Sequence, residues 1–256
     1  MVCLKMAESN MPFVILIDTN AMTALSLYID SCDTVRKDLG INIGDLKIEF
    51  ENQKDIKNDC LNFDEIKKGY RLYYHLKEKI GEFDENIQIW FSLLSEIELL
   101  NVFLDRAFDH ELTKKRIPYR IRQKKPFRTQ IDFNYGEKVA NYWRNMEERL
   151  AESDIEFNYP ENDVDAIRDI IKIAKIVTQY VALGPVDLYL YASGIHLRAD
   201  EIYTIDREFK YVINKIRNGG GWETVYRNIQ QDLRKFIRSF DDEYEKMGKI
   251  DLPRGV

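Results

Sequence analysis

The stretch Pro12-Phe13-Val14-Ile15-Leu16-Ile17-Asp18-Thr19-Asn20 decides the fold. Five apolar residues, three of them β-branched, stop abruptly at an acid, a hydroxyl and an amide. Such a run predicts a strand buried on both faces, as in a parallel sheet. Further along, Ile87-Gln88-Ile89-Trp90-Phe91 alternates and predicts a second strand, and Glu201 to Ile205 predicts a third, ending in Asp206.

Helical patterns separate these strands. Ala21 to Tyr28 follows the first. Residues 33–86 are polar, with one amphipathic helix marked by Tyr70, Leu72, Tyr73, Leu76 and Ile80. Ser92 to Phe108 predicts a helix whose apolar line is Leu93, Ile97, Leu100, Leu104 and Phe108. Glu137 to Ala151 predicts another. The next starts with Asn162 as cap, runs to about Tyr180 and is closed by Gly184-Pro185. Asp187 opens a helix containing the small residues Ala192, Ser193 and Gly194. After Gly219-Gly220-Gly221, a long amphipathic helix is predicted from Trp222 to Met247, although Trp222 to Val225 also suits a short final strand. Strands alternating with helices predict an α/β class with a central parallel sheet.

Composition bounds the rest. The chain has 256 residues, 45% hydrophobic and 32% charged, enough for one decorated core or two small domains and too apolar for a disordered chain. No apolar run approaches the roughly 20 residues of a membrane span, and no basic-then-apolar leader opens the sequence, so a cytoplasmic protein without a membrane partner is expected. Cys3, Cys32 and Cys60 lie far apart and read as reduced thiols. The net charge of −6 is unevenly spread. Between Glu111 and Arg128 stand eight cations (Lys114, Lys115, Arg116, Arg120, Arg122, Lys124, Lys125, Arg128) and one Glu, so that strip carries +7 and the remainder −13.

Chemistry gathers at the strand ends. Asp18 follows the first strand and Asp206 the third, and ligands of open parallel sheets bind outside the carboxyl ends of strands. Glu98 and Asp187 lie on helices that such strands feed or flank, with Asp187 in a first turn that favours negative charge. Four carboxylates converging on one point repel each other and take up protons unless a cation intervenes. Oxygen-only donors select Mg²⁺ or Mn²⁺, and such an ion activates water and neutralises charge on a phosphodiester. Each acid taken singly is equally well read as a helix or strand cap.

Order and context carry the four further. Val14-Ile-Leu-Ile-Asp18-Thr19-Asn20, then Ser92-Leu-Leu-Ser-Glu-Ile-Glu98-Leu99, then Asp187-Leu-Tyr-Leu-Tyr-Ala192-Ser193 leading to Thr204-Ile-Asp206-Arg-Glu-Phe209, resemble the signatures of PIN-domain nucleases, which include toxin ribonucleases of bacterial toxin–antitoxin pairs. The resemblance implies a PIN-like three-layer fold. It places a nuclease domain over residues 1–210, with helical insertions at about 33–85 and 110–183, and a C-terminal helical extension over 211–256 packed on the same domain. It names Asp18, Glu98, Asp187 and Asp206 as catalytic, metal-holding acids. Glu98 is preferred to Glu96 because it stands six positions after Ser92; the two acids point about 200° apart on a helix. Thr19, Asn20 and Thr204 would support the carboxylates, a role for which local capping is an equal reading. The activity implied is Mg²⁺- or Mn²⁺-dependent endoribonuclease cleavage leaving a 5′-phosphate and a 3′-hydroxyl, in a toxin or defence setting. An antitoxin-like inhibitor and a homodimer are the partners it suggests besides RNA.

The basic strip is the expected substrate contact, with Tyr119 and Phe127 available to stack on bases; a solvated loop is the competing reading. Two rival functions remain: a PIN-like module that binds RNA or protein without turnover, and a phosphatase with Asp18 as nucleophile, for which Asn20 stands where a second Asp is required. His110 lacks the second His of a zinc-protease helix. His75 and His196 read as packed or surface residues, and Gly219–Gly221 as a hinge.

Overall fold

The computed structural model describes residues 12–39, 63–116, 135–238 and 252–256. The chain is α/β and mostly helical, with one four-stranded parallel sheet in the order β2-β1-β3-β4. The elements are β1 (Phe13–Ile17), α1 (Thr19–Leu39), α2 (Phe63–Phe83), β2 (Ile87–Phe91), α3 (Leu93–Lys114), α4 (Tyr135–Ala151), α5 (Val164–Thr178), α6 (Pro185–His196), β3 (Glu201–Tyr203), α7 (Arg207–Asn218), α8 (Glu223–Arg238) and β4 (Arg254–Gly255). No described helix is long and apolar enough to cross a membrane.

The chain divides into two compact units. The first comprises 1–22, 71–95 and 156–256, and it holds the whole sheet. β1 is central. Ile15 pairs with Ile89 of β2 on one side and with Glu201 of β3 on the other. Ile15, Leu16 and Ile17 are fully buried, as a strand covered on both faces requires. Burying each such side chain contributes about 1.5–3 kcal/mol. Val14 and Leu16 join a core built with Ile170, Ile173 and Val177 of α5, Leu190 and Ile195 of α6, Phe209 and Ile213 of α7 and Ile229 and Leu233 of α8. The small residues of α6 let it lie close: a Cβ on Gly194 would fall 2.9 Å from Ile202 and 3.1 Å from Pro253. Beyond β2, Asn158 extends the ladder, donating to Ile89 O at 2.8 Å and accepting from Phe91 N–H at 2.9 Å.

The second unit, 23–70 and 96–155, is helical. Leu25 and Tyr28 of α1, Leu99, Phe103 and Ala107 of α3, and Met146 and Leu150 of α4 are buried in it. Arg106 is held by the Ser26 hydroxyl at 3.1 Å, Thr23 O at 3.0 Å and Asp30 at 3.5 Å. Gly69 is required where α2 meets α1, because a Cβ there would stand 2.0 Å from Ala24 O.

Several expectations are corrected. On α3 the packed stripe is Leu99, Phe103 and Ala107; Leu93, Ile97 and Leu104 of the predicted line are exposed, Ile97 to 60%. Both stripes are apolar, so periodicity alone could not choose between them. Asp163, not Asn162, caps α5, accepting from Asp165 N–H at 2.9 Å, while Asn162 ends a short 3₁₀ turn. α5 stops at Thr178, well before Gly184. β3 ends at Tyr203. Residues 222–225 form no strand: α8 starts at Glu223, and the last strand is Arg254–Gly255. The part of the predicted helix beyond Arg238 lies outside the described residues, as does most of the basic strip.

Candidate functional site

What positions the acids of the first unit? From β1 the chain crosses to β2 on one side, then returns past β1 to β3 on the other. The sheet order therefore reverses between β1 and β3. A crevice opens at such a switch point, outside the carboxyl ends of the strands. Asp18 directly follows β1, and Asp206 lies three residues past the end of β3.

Local chemistry then fixes each acid at a helix start. Asp18 precedes α1: its carbonyl accepts from Met22 N–H at 2.9 Å, and its own N–H donates to Tyr203 O at 3.0 Å, carrying the β1–β3 pairing one step past the strands. Asp206 caps α7, its Oδ1 accepting from Glu208 N–H at 2.8 Å and Phe209 N–H at 3.0 Å. Asp187 stands in the first turn of α6, behind Pro185. Three helix N-termini thus bring partial positive charge to three carboxylates.

Thr204 ties two of them together. Its hydroxyl donates to Asp18 Oδ2 at 2.7 Å, and the same oxygen accepts from the Asp206 backbone N–H at 3.0 Å. Asp18 is 4% exposed. Burial pushes its carboxyl up, the Thr204 hydroxyl and the Thr19 N–H draw it down, and the charges of Asp187 and Asp206 push it up again, to about 6. Asp187 and Asp206 thus both lie close enough for their charges to act on Asp18.

The other expected residues fall as follows. Thr19 is buried at the start of α1 and Asn20 beside it is exposed. Glu98 is half-buried on α3, six residues after Ser92, and belongs to the second unit. Of the basic strip, Lys114 ends α3, and Lys115 and Arg116 follow it as an exposed turn. Arg120, Arg122, Lys124, Lys125 and Arg128 lie outside the described residues. His196 is a packed histidine, its pKa lowered by burial. His75 is tied by Nε2 at 2.8 Å to the buried Glu201, which Arg254 also grips. The link between Asp18 N–H and Tyr203 was not foreseen, because it follows from strand order and leaves no mark in the sequence.

The donor types suit a hard dication. Three carboxylates, one driven toward protonation by its burial and then by the charges of the other two, are the chemistry such an ion relieves. Among the described residues, however, no group of three or more His, Cys, Asp or Glu side chains is already drawn together as a metal-holding set. The donors fit by type and mutual repulsion, and closing on an ion requires their side chains to converge. No family model, curated protein or solved structure matches the chain.

Proposed function

We propose that the chain is a metal-dependent phosphodiesterase acting on RNA, an endoribonuclease of PIN type, with Asp18, Asp187 and Asp206 holding Mg²⁺ or Mn²⁺. The observation that carries this reading is the Asp18 carboxylate, placed at a switch point, held by the Thr204 hydroxyl and pushed up first by burial and then by the charges of Asp187 and Asp206. A purely structural acid is normally paired with a cation, as Glu201 is with Arg254. Asp18 is instead set against like charge. The sequence resemblance alone names Glu98, of the second unit, as a further metal-holding acid. The same resemblance supports the three-layer fold and a toxin or defence setting.

When bound, the ion supplies a more acidic water and neutralises charge developing on the phosphodiester. The chain's own residues do the positioning. Thr204 fixes the rotamer of Asp18, the Asp206 N–H fixes Thr204, and two α7 amides fix the Asp206 carboxylate. Asp18 and Asp206 are thereby oriented before substrate arrives, which lowers the ordering cost of binding, while the carboxylates still have to converge on the ion. Burial of Asp18 keeps bulk water from competing for its oxygens.

Incubation of the purified chain with single-stranded RNA and Mn²⁺ tests the reading. Cleavage giving 5′-phosphate ends is expected, and Asp206→Asn, which keeps the cap, should abolish it. RNA binding with no cleavage under any divalent ion would favour the non-catalytic module instead.

A further inference from the structure

α8 is two-faced. Ile229 and Leu233 pack into the core of the first unit, while Glu223, Arg227, Gln231 and Arg234 recur at spacings of four, four and three on another face. That second face, with the last residues of α7, walls a groove of about 750 Å³. Arg217, Arg227, Arg234 and Lys235 line it, against the single carboxylate of Glu223. In a chain of net charge −6, this is a local reversal of sign.

Two of these cations are already engaged. Arg217 donates to Leu252 O at 2.9 Å, and Lys235 pairs with Asp232 at 2.9 Å. Among the described residues, Arg227 and Arg234 have no carboxylate partner, and both are exposed. They lie seven positions apart, two turns along one face, about 10 Å. Tyr226 also lines the groove, as do the amides of Asn218 and Gln231. The Tyr191 hydroxyl is fully buried and without a hydrogen-bond partner among the described residues. Tyr226 and Arg217 are its electrostatic neighbours.

We propose that the α7–α8 groove binds a nucleotide, with Arg227 and Arg234 gripping phosphate and Tyr226 contacting the base. Guanidinium forks match phosphate oxygens, and the volume is that of a nucleotide-sized site. The site is separate from the acids. α7 runs about 16 Å from its Asp206 cap to Arg217. Its far end is anchored to Leu252, beside the strand whose Arg254 pairs with Glu201 at the start of β3. The groove thus lies toward the opposite end of the sheet from the carboxylates and stands whether or not they cut RNA. One ligand chemistry has two sources here, a free nucleotide or a nucleotide within an RNA strand.

The test uses the full chain in excess EDTA, so that nothing is turned over. The probes are a fluorescein-labelled octamer of uridylate, followed by anisotropy, and uridine monophosphate as competitor. Arg227→Ala/Arg234→Ala should weaken binding at least about tenfold and flatten the salt dependence by about 1.4 in log–log slope. Arg168→Ala/Lys175→Ala, which removes the same charge from exposed positions of α5, should change affinity less than about twofold. Glu223→Gln should tighten binding, an outcome that misfolding cannot imitate. Displacement by the monophosphate assigns the free nucleotide as source, and binding of the octamer alone assigns the strand; either upholds the site. Equal losses in the two double variants, no loss in the groove variant, or preference for polyglutamate over the octamer would overturn it.

Discussion

Thr204 and Asp18 stand 186 positions apart in the chain, and a hydrogen bond of 2.7 Å joins them. The Thr204 hydroxyl is spent twice, donating to the acid after β1 and accepting from the backbone of the acid after β3. Removing it should loosen both. Thr204→Val is expected to lower stability by about 1–2 kcal/mol in urea unfolding. RNA cleavage should fall about 10- to 100-fold, the usual effect of losing a group that orients a metal-holding side chain. Thr204→Ser should restore both; a serine variant as impaired as the valine one would show that the hydroxyl is not what matters.

Asp18 gives a prediction of unusual sign. Its folded carboxyl titrates near 6 against an ordinary 3.8, so the native chain holds that proton more tightly than the unfolded chain. Stability from this group is therefore greatest below about pH 4 and falls as pH rises toward 6, by about 3 kcal/mol in all. Asp18→Asn, whose amide oxygen can still accept from Thr204, should be more stable than the parent at pH 8 and no more stable at pH 4. Thermal melts across that window check it. A loss of stability at pH 8 would mean that the acid serves the fold.

Glu201 should behave oppositely. Burial raises its carboxyl, but the His75 hydrogen bond and the charges of His75 and Arg254 outweigh it and hold the group below the usual range. Its stabilisation is present above its ordinary value of 4.5 and lost as pH falls below that. His75→Ala should cost about 1–3 kcal/mol at neutral pH by leaving a buried oxygen poorly satisfied. RNA cleavage at 25 °C should survive, which separates this cluster from the candidate site.

Asp206 caps α7, and substitution can divide that role from the proposed metal-holding one. Asp206→Asn keeps a capping oxygen, whereas Asp206→Ala removes it and should cost about 1 kcal/mol. Both should abolish cleavage. Cleavage that tracked stability rather than charge would reduce Asp206 to a cap.

The strands were legible because their physics is local. Phe13–Ile17 and Ile87–Phe91 appear in the structure with the boundaries read from their apolar patterns. α3 was legible as a helix but not in its orientation, since two apolar stripes compete and only tertiary packing selects Leu99, Phe103 and Ala107. α7 passed unread, although Phe209, Ile213 and Ile216 mark its buried face at spacings of four and three. β4 could not have been read: two residues carry no period, and its place comes from Arg254 meeting Glu201 and Gly255 N–H meeting Asn214 at 3.2 Å. Asp18 and Asp206 were legible as strand-end acids and Asp187 as a helix-start acid. The action of Asp187 and Asp206 on Asp18 was not, because it depends on the reversal of strand order between β1 and β3.

The central claim is that Asp18, Asp187 and Asp206 form one site for a divalent cation. Manganese titration followed by electron paramagnetic resonance tests it directly on the full chain and on Asp18→Asn, Asp187→Asn and Asp206→Asn. The account predicts saturable Mn²⁺ binding by the parent, weakened at least about tenfold by each substitution and displaced by Mg²⁺. No saturable binding by the parent, or the same affinity in all four proteins, would contradict it.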